Sequence, residues 1–153
     1  MKNLVFIAFL TFFLITTHAF SVEKGVWSFV VNDEFCYIGS APVKEEGNYN
    51  QRGDVYVLVY RINKNPEMIV QLTAGYNFDE SKSVDVQIDQ VKFKFFGKDD
   101  SAWINDKDRD VIFAMKKGNT MIVKGYSSRG TLTTDTYTLT GFTLAHNKLS
   151  KDC

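Results

Sequence analysis

Two cysteines, one histidine beyond residue 19 and eighteen carboxylates are the side chains from which this chain could build a reactive centre. A His- or Cys-based metal centre needs three or four ligands brought close together, and His146 stands alone. A nucleophilic cysteine needs a lowered pKa and a base beside it, for which the chain offers only that one histidine. The expected use of Cys36 and Cys153 is a disulfide with each other, because the leader described below exports the chain to a compartment where such bonds persist. Asp99, Asp100, Asp106, Asp108 and Asp110 lack the spaced ligands, central glycine and closing Glu of an EF-hand loop, so a solvated loop and helix cap is expected instead of a calcium site. No G-x-S-x-G elbow, phosphate-cradling glycine loop or oriented Cys/His pair occurs. The sequence therefore offers no catalytic residue, no metal site and no cofactor. Arg52-Gly53-Asp54 spells the tripeptide of integrin ligands and is equally an ordinary turn before a strand, and both readings stand at this stage. Trp27, Tyr37 and Trp103 could line a ligand pocket, but their alternating placement suits core packing better.

The elements that must position these residues begin after a leader. Met1-Lys2-Asn3, an apolar run from Leu4 to Ile15 and the small residues around Ala19 have the layout of a secretory signal peptide over residues 1–19. The run is too short for a retained membrane anchor, which needs about 20 apolar residues. No cysteine stands immediately behind the cleavage point to carry a lipid. Lysine plus arginine balance aspartate plus glutamate at 18 each, and removal of Lys2 with the leader leaves one net negative charge. Neither nucleic acid nor an anionic membrane is advertised as a partner. At 44% hydrophobic and 24% charged residues, with only 2 Pro and 10 Gly, residues 20–153 read as a single folded domain.

Within that domain the periods are mostly those of strands. Residues 27–31 alternate, with Trp27, Phe29 and Val31 sharing a face. Val55 to Arg61 is apolar on both faces and suits a central strand, followed by a turn at Asn63 to Pro66 and a partner strand from Met68 to Ala74. Val84 to Phe96 predicts a hairpin around Asp89-Gln90, pairing Ile88 with Val91, Val86 with Phe93, Val84 with Phe95, Gln87 with Lys92 and Asp85 with Lys94. A one-residue slip would send Phe93 and Phe95 to water, so the register is fixed even though the turn lacks its preferred glycine. Asp108 to Gly118 predicts a short helix capped by Asp108, with Val111, Ala114 and Met115 on one face. Thr120 to Lys124 and Leu132 to Leu139 predict two more strands about a turn at Tyr126 to Gly130, and Thr143 to Lys151 a last helical turn or two. Seven or eight short strands in one domain favour an antiparallel sandwich over a parallel sheet.

Ala114-Met115-Lys116-Lys117-Gly118, the run from Ser128-Arg129-Gly130 through Thr133-Thr134-Asp135-Thr136-Tyr137 to Gly141-Phe142, and the terminal Cys153 resemble the invasion-associated locus B family of exported alphaproteobacterial proteins. Trp27, Cys36-Tyr37-Ile38, Gly75-Tyr76-x-Phe78, Ile88-Asp89 and Ala102-Trp103 recur in that family's order, so the resemblance spans essentially the whole of residues 20–153. It implies an immunoglobulin-like β-sandwich, a periplasmic or surface location in a Gram-negative bacterium and a part in host-cell entry or intracellular survival. It transfers no catalytic residue.

Two functions are weighed. One is a non-enzymatic exported interaction protein whose partner is a protein of the host-cell surface or a component of the bacterial envelope. The other is a periplasmic, hydrolase-like enzyme using Asp135, Arg129 and surface carboxylates. For the first, the expected contact lies on the Thr-rich strand after Arg129. There Leu132, Thr134, Thr136 and Thr138 share one face, while Thr131, Thr133, Asp135, Tyr137 and Leu139 share the other. Arg129, Thr134, Thr136 and Thr138 are the candidate partner surface. An exposed face solvated by water and held by Thr pairs is the alternative use of the same pattern.

Overall fold

A computed structural model describes residues 22–31, 35–62 and 65–153. The leader expected over residues 1–19 and the opening of the turn at Asn63 lie outside the described residues. Among those described, the strands are β1 (Ser28–Val31), β2 (Phe35–Ser40), β3 (Lys44–Gly47), β4 (Tyr56–Ile62), β5 (Ile69–Thr73), β6 (Ser83–Ile88), β7 (Val91–Lys98), β8 (Ser101–Trp103), β9 (Thr120–Tyr126) and β10 (Leu132–Thr138), with helices α1 (Asp108–Lys117) and α2 (Phe142–Asp152).

The mainly β, antiparallel architecture with two helices agrees with the sequence. The immunoglobulin-like sandwich is not confirmed. A sandwich divides its ladders between two facing sheets, whereas here one ladder runs through all ten strands in the order β1-β2-β4-β5-β8-β7-β6-β9-β10-β3. That order dictates the shape. β2 and β3 stand eight positions apart, yet only Ala41, Pro42 and Val43 join them. A flat sheet would separate them by about 38 Å at ~4.8 Å per strand, and so short a link reaches at most about 14 Å. The sheet must curl until its ends meet, giving a half-barrel. A bond across the meeting ends fixes it: the Trp27 indole N–H, just before β1, donates to the Thr138 carbonyl of β10 at 3.0 Å.

The hollow of the curl holds the core. Val57, Leu58 and Val59 are buried in succession, as expected of a strand covered on both faces, and β4 pairs with β5 in the expected hairpin. Val111 and Met115 of α1 and Phe142, Ala145 and Leu149 of α2 add to this core, with Trp27 set edge-on to Phe142 at 4.8 Å. At the end of α2, Cys153 bridges to Cys36 in β2 with their Cα atoms 5.9 Å apart, the pairing the sequence suggested. Two local expectations need correction. Val31 is exposed at the end of β1, the edge strand of the sheet. Asp108 is the first residue of α1 and not its cap; its carboxylate instead accepts the Val70 N–H at 2.7 Å, tying the helix start to β5. Val111, Ala114 and Met115 of α1 share the core-facing side as expected, with Ile112 buried beside them.

The β6–β7 hairpin has the expected register at every pair. Its turn works without glycine because Asp89 itself adopts φ +48° and its carboxylate accepts the N–H groups of Asn119 and Thr120 at 3.0 and 3.1 Å. The side chain thus holds the turn and the start of β9 together. Asp89→Ala should cost about 1–3 kcal/mol, through left-handed strain and two backbone donors left without an acceptor. Asp89→Gly should recover only the strain, and a Gly variant as stable as the parent in urea unfolding would show that the carboxylate contributes nothing.

Candidate functional site

The inward face of β10 carries Thr133, Asp135 and Tyr137, all buried, which is the alternation read from the sequence. A carboxylate on that face cannot stay charged without a partner, and the partner is Arg52. Its two terminal nitrogens donate to the two Asp135 oxygens at 2.7 Å each, with both side chains only 4% exposed. Arg52 Nε donates to the Ala74 carbonyl at 2.6 Å. The rings of Tyr49 and Tyr76 lie 5.5 and 5.1 Å from the guanidinium carbon, and the Tyr76 hydroxyl meets that of Thr133 at 2.8 Å. Glu45 approaches Arg52 at 3.8 Å. Burial by itself would push the Arg52 pKa down, but the bonds to Asp135 outweigh it and raise the pKa above the ordinary arginine range. Burial raises the phenol of Tyr76.

Two glycines let the arginine loop reach this position. The Gly53 N–H donates to the Gly75 carbonyl at 2.9 Å. Gly75 sits at φ +68°, where a Cβ would run into the Gly53 carbonyl. Both features require glycine at 75.

Above this floor opens a cleft of about 630 Å³. Its walls come from residues 48–52, from Tyr76 and Asn77, and from the β9–β10 turn with Ser127, Ser128, Arg129 and Thr131. Arg129 is exposed at the rim. Among the described residues no group of three or more His, Cys, Asp and Glu side chains is placed to hold a metal ion. His146 lies on α2 with Nδ1 buried and without a partner; burial, and then the charge of Lys116, lowers its pKa.

The structure rearranges the sequence-derived candidates. Arg129 joins Thr131 and Thr133 at the cleft, while Thr134, Thr136 and Thr138 belong to the outward alternation of β10. There Thr134 is flanked across the sheet by Glu46 and Lys124, and Thr136 by Lys44 and Ile122. The four residues do not form one surface. Of Asp135 and Arg129, combined in the enzymatic alternative, only Arg129 lines the cleft, and both Asp135 oxygens are held by Arg52. Arg52 of the Arg52-Gly53-Asp54 triplet is the buried floor, so its guanidinium is withheld from any receptor. Sequence reasoning missed the Arg52–Asp135 pair, although an Asp in the inward register of a strand was a signal that a buried cation had to exist.

The family profile of invasion associated locus B (IalB) proteins matches residues 30–150 of this sequence. The crystal structure of invasion associated protein b from Bartonella henselae is similar in fold, with a TM-score of 0.56 and 19% identity over 82% of this chain and 92% of that one. No curated protein matches the sequence.

Proposed function

This chain belongs to the invasion associated locus B family, and from that premise we propose that it is an exported, non-enzymatic interaction protein that supports host-cell invasion or intracellular survival. Its partner is a host-cell surface molecule or a component of the bacterial envelope. Export is supported by the leader pattern of residues 1–19 and by the Cys36–Cys153 bridge, which suits an oxidising compartment. No helix among the described residues is long and apolar enough to cross a membrane. The reading as a binder in preference to a hydrolase rests on Asp135. A general base must reach its substrate, and Asp135 is buried beneath the cleft with both oxygens bonded to Arg52.

The observation that carries the proposal is the cleft. A floor with its hydrogen bonds fully committed supports a rim whose polar groups remain available, which is the arrangement of a preorganised binding site. Arg129 is the group we assign to the contact. Association of the purified protein with host cells should be abolished by Arg129→Glu and retained by the triple variant Thr134→Lys, Thr136→Lys, Thr138→Lys, with native circular dichroism in both. The opposite outcome would move the contact to the outward face of β10.

A further inference from the structure

The composition of the cleft narrows what it can bind. Asn48, Asn50, Gln51 and Asn77 line it, and each amide offers both donors and an acceptor. None of these four side chains has a hydrogen-bond partner among the described residues. Ser128 and Thr131 add hydroxyls that likewise donate and accept. Tyr49 is half-buried beside Arg52 and faces the cleft with a ring that the guanidinium stack keeps in place. Neutral groups able to bond in both senses, set beside an aromatic face, complement a ligand with hydroxyl groups at its edges and C–H groups on its faces. Sugar rings have that construction.

The charge of the site adds a second constraint. Arg52 is compensated by Asp135 and approached by Glu45, whereas Arg129 lines the cleft with no carboxylate in ion-pair range among the described residues. No acidic side chain lines the cleft. One available cation suits one carboxylate, and it is too few for a phosphate cluster, which calls for several arginines. An extended peptide would need an open strand edge. The one strand residue in the lining, Thr133, is paired on both sides, with Gly47 and Gly125. The volume of about 630 Å³ falls within the ~300–1,000 Å³ of small-ligand sites.

Building on the cleft assigned above, we propose that it recognises a carboxylate-bearing sugar residue at the end of an oligosaccharide. Arg129 pairs with the carboxylate, the amides of Asn48, Asn50 and Asn77 bond the hydroxyls, and Tyr49 lies against the ring.

The test is isothermal calorimetry on the disulfide-bonded protein with three probes: sialyllactose, a glucuronyl-galactose disaccharide and lactose. At least one acidic probe should bind about tenfold or more tighter than lactose, the factor carried by one charge-assisted hydrogen bond. Arg129→Gln should remove that preference, bringing the acidic probes down to the affinity of lactose, while Asn77→Ala should weaken acidic and neutral probes alike. Equal binding of all three sugars, an acidic preference that survives Arg129→Gln, or no binding of any probe would each overturn the proposal. If the sugars fail while Arg129→Glu still abolishes host-cell association, the ligand class falls and the site stands. If host-cell association survives Arg129→Glu, the site itself was misassigned.

Discussion

Asp135→Asn should lower the free energy of unfolding by about 3–5 kcal/mol, the largest single effect expected in this molecule. The amide keeps the shape of the carboxylate but leaves the Arg52 guanidinium charged, buried and, among the described residues, paired only by the more distant Glu45. Most of the loss is therefore the cost of an uncompensated cation and not the net worth of the ion pair. The double variant Arg52→Met, Asp135→Leu separates the two, because it removes both charges and should regain much of the lost stability. Urea unfolding monitored by Trp27 and Trp103 fluorescence makes the comparison. An Asp135→Asn protein within about 1 kcal/mol of the parent would mean that water reaches the pair and screens it. The double variant should also lose the cleft, since Tyr49 and Tyr76 are held against the guanidinium.

Cys153→Ser should cost about 2–5 kcal/mol. The bridge spans 117 positions of sequence, so its loss restores freedom to nearly the whole unfolded chain and releases α2 from β2. Phe142, Ala145 and Leu149 anchor the rest of α2 in the core, so the variant should fray at the last turn rather than lose the whole element. Cys36→Ser should match it, and the double Ser variant should be no worse than either, because all three remove one bond. Thermal unfolding with and without a reductant checks this: the parent should fall to the level of the variants once reduced. A parent indifferent to reductant, or free thiols in protein purified without reductant, would refute the assignment.

The hairpin of β6 and β7 was legible because its information is local: five facing pairs agree on one register, and any slip exposes phenylalanine. β4 was legible for the same reason. β3 was not, since Lys44 to Gly47 are all exposed and carry no apolar period at all; these residues are a strand only because β10 lies beside them. The curl of the sheet depends on strand order, which no window of sequence contains. The same division holds at the candidate site. The inward register of Asp135 could be read from β10, but its partner lies 83 positions earlier, in a triplet that reads as a turn. Arg129 was singled out, but that it lines the cleft with Thr131 and Thr133 could not be read, because a turn breaks the alternation that assigns residues to faces.

The short link between β2 and β3 also governs the order in which the molecule can assemble. β3 pairs with β10 alone, Lys44 opposite Thr136 and Gly47 opposite Thr133, so a chain emerging from its N-terminus has made β3 long before it has made the strand that receives it. During that interval the first strands present an open ladder, and such edges invite pairing with another molecule. Lys44, Glu45 and Glu46 place three consecutive charges on the waiting strand, and charged edges resist that association. Closure of the curl therefore comes late, once β10 has been made, and the Cys36–Cys153 bridge can form only after α2 has followed it.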